Sequence, residues 1–85
     1  MNNKVLIKLL VPDIDMSYDI YLPVNKKIGN IIVLLNKAVS EMSNGSLPIS
    51  NYNSLYNAET NERYNIDTLI SNTDIRNNSK LILLS

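Results

Sequence analysis

Asp13-Ile14-Asp15-Met16-Ser17 comes nearest, in this 85-residue chain, to a pattern that could hold a ligand. Two carboxylates and a hydroxyl at alternate positions are how a calcium loop presents its first oxygens. Tyr18, however, stands where that loop turns on a glycine, and Val24 stands where it needs a bidentate glutamate. The two aspartates are therefore read as solvated residues of a turn, and no metal is assigned. Histidine and cysteine are both absent, which removes the usual base near neutral pH and the thiolate nucleophile. A nucleophile would have to be Ser, Thr or Lys activated by a carboxylate or an amine, and no spacing proposes such a pair. Gly29 and Gly45 are the only glycines, and neither lies in a phosphate-cradling pattern. Asn44-Gly45-Ser46 and Asn77-Asn78-Ser79 match the glycosylation acceptor pattern, but turn chemistry explains both without it. The expectation is a protein that is not an enzyme and carries no cofactor.

Composition narrows the partners. Eight Lys plus Arg balance eight Asp plus Glu, and no run of like charge exceeds Lys26-Lys27, so no nucleic-acid footprint is expected. Apolar residues make up 45 % and charged residues 19 %, enough for the chain to fold alone as one domain, 1–85. No apolar run approaches the roughly 18 residues of a membrane span, so direct membrane insertion is not expected. Residues 1–4 lead straight into a strand pattern without a signal peptide's apolar region, and the absence of cysteine fits a reducing compartment. Both point to the cytoplasm. Richness in Asn, Ile and Lys reads as the codon bias of an AT-rich bacterial genome.

The elements follow from periodicity. Residues 4–11 alternate, with Val5, Ile7, Leu9 and Val11 on one face and Leu6, Lys8 and Leu10 on the other. Residues 12–15 break the run, and residues 18–22 resume it with Tyr18, Ile20 and Leu22 on one side, which makes a hairpin ended by Pro23. Over residues 26–42 the period becomes helical. Ile28, Ile31, Ile32, Leu35, Ala38, Val39 and Met42 form an apolar stripe, while Asn30, Asn36, Lys37, Ser40 and Glu41 lie elsewhere. Asn44-Gly45 suits a left-handed helix cap, with Pro48 beyond it. Gly29 in the first turn is unfavourable unless a close backbone approach needs it. Residues 46–53 read as a polar connection, 55–57 and 63–66 as short strands around a turn at 58–61, and 67–76 as a short helical turn with a tight loop. Residues 80–84 read as the closing strand.

Two strands, a long helix, short strands and a final apolar strand are the order of an α+β fold, a ubiquitin-like β-grasp. Its mixed four- or five-stranded sheet is expected to have one long helix packed across it, with the first and last strands parallel at its centre. The stretch from Leu55 to Leu84 is similar in layout to ubiquitin's second half. The chain as a whole resembles the YukD family of small bacterial ubiquitin-like proteins. The resemblance rests on Ser17-Tyr18-Asp19-Ile20-Tyr21-Leu22-Pro23, the helix start Lys27-Ile28-Gly29, Leu55-Tyr56-Asn57, and Asp74-Ile75-Arg76-Asn77-Asn78-Ser79-Lys80-Leu81-Ile82-Leu83. Family members commonly carry Asn-Gly in the last turn, where this chain has Asn77-Asn78. The resemblance implies a cytoplasmic accessory component of a Gram-positive type VII secretion system, which handles small WXG-type substrates. The implied partners are proteins, membrane-bound secretion components among them, and stoichiometry is not legible.

Partner binding is expected on the sheet face that the helix leaves open, at Leu6, Lys8, Leu10, Tyr56, Ile82 and Leu84, because a contiguous apolar area on a small domain marks an interface. A different class of answer is a structural or scaffold subunit, or an excised ubiquitin-like domain of a larger protein unrelated to secretion; a start at Met1 just before the first strand favours a complete protein. Conjugation and sulfur transfer need a free Gly-Gly carboxylate, and this sequence ends Leu84-Ser85. Incubation with activating enzymes and ATP is therefore expected to leave the chain unmodified, and a C-terminal adenylate or thioester in the mass spectrum would contradict that.

Overall fold

The first strand, β1 (Lys4–Val11), turns through a 3-10 helix at Pro12–Ile14 into β2 (Met16–Pro23). The computed structural model describes residues 3–42 and 52–84. Asp15 closes the hairpin turn at φ 52°, a left-handed conformation that Asp tolerates because its short polar side chain can bond locally. The hairpin is longer than alternation alone indicates, since Met16 and Ser17 also pair with β1, opposite Val11 and Leu10.

After β2 comes a 15-residue helix, α1 (Ile28–Met42), which starts two residues later than its periodicity predicts. The reason lies in its first turn. The Ile28 and Gly29 N–H groups donate to the Thr68 and Ile66 carbonyls, and Lys26 O accepts from Ile70 N–H, so the approach to the helix is tied to the 66–70 segment. A Cβ on Gly29 would sit 3.2 Å from the Ile66 carbonyl oxygen, which is the close approach that justifies glycine there. Then β3 (Ser54–Asn57), a 3-10 turn at Ile70–Asn72, and β4 (Lys80–Leu84) complete the fold. The expected helix cap at Asn44-Gly45 and most of the 46–53 connection lie outside the described residues.

Among the described residues the sheet has four strands in the order β2-β1-β4-β3, with β1 and β4 parallel at its centre and antiparallel pairs on either side. Residues 63–66 do not form a strand. Arg63 makes an isolated bridge to Tyr56, and the chain then departs to reach the start of α1. One sheet face and one helix stripe form the core: Ile7, Leu9, Val11, Leu22, Leu55, Leu81 and Leu83 pack with Ile28, Ile31, Ile32, Leu35 and Val39, closed by Tyr52, Ile70 and Ile75. Val5 and Ile20 are only half-buried, and Met42, at the far end of the apolar stripe, is exposed.

Asn36 departs from the amphipathic pattern, which places it off the apolar stripe. It is buried, and its amide grips the backbone of Tyr52, just ahead of β3: Nδ2 donates to Tyr52 O at 2.8 Å and, within the helix, to Ile32 O at 3.0 Å, while Oδ1 accepts from Tyr52 N–H at 3.2 Å. A single side chain thus satisfies both backbone groups of Tyr52, as a strand neighbour would elsewhere.

Two outcomes are expected. Asn36→Ala leaves the Tyr52 N–H and C=O unpaired in a dry environment and should cost about 2–4 kcal/mol, read as a lower midpoint in urea at unchanged slope. Leu35→Asp puts a charge where the native side chain is 1 % exposed and should abolish the cooperative transition, because its cost of several kcal/mol is comparable to the whole stability of so small a domain. A cooperative, folded Leu35→Asp variant in circular dichroism would contradict this placement of the helix.

Candidate functional site

Backbone alternation on β1 sends Ile7 and Leu9 inward and leaves Leu6, Lys8 and Leu10 on the side away from α1. The parallel register then continues each outward row onto β4, with Lys8 beside Lys80 and Leu10 beside Ile82. The antiparallel register carries the rows onto β3, with Tyr56 beside Ile82 and Ser54 beside Leu84. All six residues expected at the partner face therefore share one surface of one sheet. Leu10, Ile82 and Tyr56 form a direct cross-strand row, Lys8 lies one row away, and Leu6 and Leu84 lie toward opposite ends of the face. Leu6, Leu10, Tyr56, Ile82 and Leu84 are half-buried, and Lys8 is exposed. Leu55, next to Tyr56, is fully buried, which fixes Tyr56 as outward.

The same face holds residues that sequence reasoning did not place there. Lys80 has the same strand parity as Ile82 and Leu84, and that parity was signal enough to find it. Ser17, Asp19 and Tyr21 sit opposite Leu10, Lys8 and Leu6 on β2, and pairing them required the hairpin register. The resulting row Asp19–Lys8–Lys80 sets one carboxylate beside two neighbouring ammonium groups, so one positive charge is left over beside the apolar row. A shallow groove of about 360 Å³ lies at this end, lined by Leu6, Lys8, Asp19, Asn78 and Lys80 among others.

Its rim is built by the 77–78 turn. The Asn77 side-chain oxygen accepts from the Leu6 N–H at 2.9 Å, and Asn78 N–H donates to Leu6 O at 2.7 Å, so the turn continues the ladder that β1 begins with β4. Asn78 reaches this geometry at φ 73°, a conformation that asparagine tolerates much better than most residues.

The polar clusters elsewhere serve the chain itself. The Tyr64 hydroxyl donates to Asp74 at 2.7 Å, and Asn57 Nδ2 donates to the other Asp74 oxygen at 3.1 Å, pinning the 58–64 loop to the segment before the last turn. Burial first, and the Asp74 hydrogen bond second, push the Tyr64 phenol well above the usual tyrosine value. It stays neutral, as a structural donor. With the folded value raised, its contribution is fully present below the unfolded pKa of about 10 and fades as pH rises through the folded one. Asp13 and Asp15 are exposed on the hairpin turn, and among the described residues no three acidic groups gather as metal ligands do. No helix among the described residues is long and apolar enough to cross a membrane.

Solved structures similar to this chain share its fold from end to end. The ubiquitin-like domain of the Mycobacterium tuberculosis type VII secretion system protein EccD1 matches over 100 % of both chains, with a TM-score of 0.75 at 15 % identity. A chain of the MycP5-free ESX-5 inner membrane complex matches 96 % of this chain and 21 % of its own length, with a TM-score of 0.77 at 12 % identity. A chain of the toluene 4-monooxygenase HD complex with 4-bromobenzoate matches 94 % of this chain and 95 % of its own, with a TM-score of 0.71 at 7 % identity. The chain thus spans about a fifth of the ESX-5 chain it matches. These likenesses are of fold: the protein is a ubiquitin-like β-grasp, built like the ubiquitin-like domains of type VII secretion proteins. No protein-family model and no curated protein matches it.

If the open face binds a partner, a Tyr56→Ser, Ile82→Ser double variant should stay folded and lose partner capture by about tenfold or more, since aromatic and aliphatic anchors carry most interface energy. Unfolding would assign both residues to the core. A folded variant with full capture would move the site elsewhere.

Proposed function

We propose that this chain is a non-catalytic protein-interaction module that serves as an accessory component of a type VII secretion system. It works in the cytoplasm of a Gram-positive bacterium beside the membrane apparatus, and it meets its partner through the open sheet face of Leu6, Lys8, Leu10, Tyr56, Ile82 and Leu84. One observation carries the assignment to secretion: the fold agrees over the full length of both chains with a ubiquitin-like domain of a type VII secretion protein. The resemblance of the β2, helix-start and last-turn residues to the YukD family supports the same reading.

The surface chemistry supports binding rather than turnover. An apolar row of Leu10, Ile82 and Tyr56 beside the Lys8 and Lys80 ammonium groups suits a protein surface that presents apolar side chains next to a carboxylate. A second reading, that of a module within a larger membrane-complex subunit, is favoured by the ESX-5 match, in which the similar part is a fifth of the chain.

Affinity capture from bacterial lysate with solubilised membranes tests the proposal. Secretion-apparatus components should be recovered, and the recovery should fall as salt rises because Lys8 and Lys80 lie at the face. An eluate dominated by an unrelated enzyme, with no secretion component, would overturn the secretion role and favour a scaffold subunit of another assembly.

A further inference from the structure

The two edges of the sheet are not equivalent. On the β3 side, Asn57 N–H donates to Glu62 O and Tyr64 N–H donates to Leu55 O, so the following loop already occupies that edge. β2 is the other edge and runs for eight residues in unbroken register with β1. The phase of its ladder is fixed at both sides of β1. Val24 N–H donates to Asn3 O, whereas Leu6 and Lys8 turn their N–H groups toward the 77–79 turn. Tyr18, Ile20 and Leu22 therefore spend their backbone groups on β1, and Ser17, Asp19 and Tyr21 direct theirs outward. Among the described residues no hydrogen bond reaches those outward groups. The usual protections of an exposed edge are missing too: there is no bulge, no lysine and no proline before the last residue, and the one charge, Asp19, lies opposite Lys8.

We propose that β2 pairs with β2 of a second copy of this chain, antiparallel and centred on Ile20, to make one continuous sheet. The strand is self-complementary in that register. Asp19 and Tyr21 of one copy exchange hydrogen bonds with Tyr21 and Asp19 of the other. Ser17 N–H meets the Pro23 carbonyl, and because proline has no N–H to return, the Ser17 carbonyl at each end of the ladder is left to water. On the helix side Ile20 faces Ile20 and the Tyr18 ring faces Leu22; Ile20 and Tyr18 are only half-buried in the single chain. On the open side Asp19 faces Tyr21, so no like charges meet. Centring on Asp19 instead would set the two carboxylates opposite each other, which disfavours that register. A formal net charge of zero adds no general repulsion between copies. A contact made by one strand edge is small, so the dimer is weak, with a dissociation constant in the micromolar range or above.

The test uses the whole chain. Sedimentation equilibrium up to about 1 mM should show a reversible dimer. Tyr21 is 61 % exposed, so charge changes there spare the fold, as circular dichroism would verify. Tyr21→Asp places a carboxylate opposite Asp19 of the other copy and should weaken the dimer about tenfold or more, while Tyr21→Lys should tighten it severalfold. Because the chain has no cysteine, Ile20→Cys introduces a single thiol. It should oxidise readily to a disulfide dimer, since facing residues of a non-hydrogen-bonded pair lie about 4.5 Å apart at Cα, within the disulfide range. Val33→Cys, on the exposed helix surface, should not. A monomer at every concentration would overturn the proposal. So would a dimer indifferent to the sign of the charge at position 21, equal crosslinking through position 33, or pairing of this edge only with an added extended peptide.

Discussion

The parallel pairing of β1 with β4 is the constraint on which everything else in this protein rests. It brings the two ends of the described chain together at the centre of the sheet, through Lys8, Leu9 and Leu10 beside Lys80, Leu81 and Ile82. Parallel neighbours cannot be joined by a tight turn, so the chain between them must cross over, and α1 with β3 and the 58–79 loops is that crossover. The pairing sets the core, because Leu9 and Leu81 meet on the side α1 covers. It equally sets the open face, because Leu10 and Ile82 meet on the other.

Much of this was legible in the residues. Strict alternation at 4–11 and the terminal apolar run at 80–84 gave both central strands at their observed bounds, and the stripe from Ile28 to Val39 gave the helix and its buried side. What escaped was tertiary. Asn36 reads as a polar residue on a polar flank, and only the return of Tyr52 to the helix makes it a core residue. Residues 63–66 have a strand-like composition, yet their backbone is spent on Leu55 and on Gly29. Gly29 reads as costly unless a close backbone approach needs it, and what approaches is a carbonyl from a segment nearly forty positions away in sequence.

The open face was legible to the same degree and for the same reason. Parity along β1, β3 and β4 grouped Leu6, Lys8, Leu10, Tyr56, Ile82 and Leu84, because side-chain direction in a strand depends only on counting by twos. Parity cannot say which strands are neighbours. The charge row of Asp19, Lys8 and Lys80 therefore appeared only with the register, as did the difference between an occupied β3 edge and an open β2 edge. That layer, in which residues face each other across strands, is fixed by pairing and not by any single motif.

Native-state hydrogen exchange measures the central constraint most directly. The Lys8 amide donates to Ser79 O at 2.9 Å, at the point where the last turn delivers β4 to β1. If this pairing holds the fold together, Lys8 should exchange only through global unfolding, with the same denaturant dependence as the core helix amide of Leu35. A Lys8 amide that exchanges far faster than Leu35, with a shallow denaturant dependence, would show that β4 opens on its own and that the rest of the structure does not depend on it.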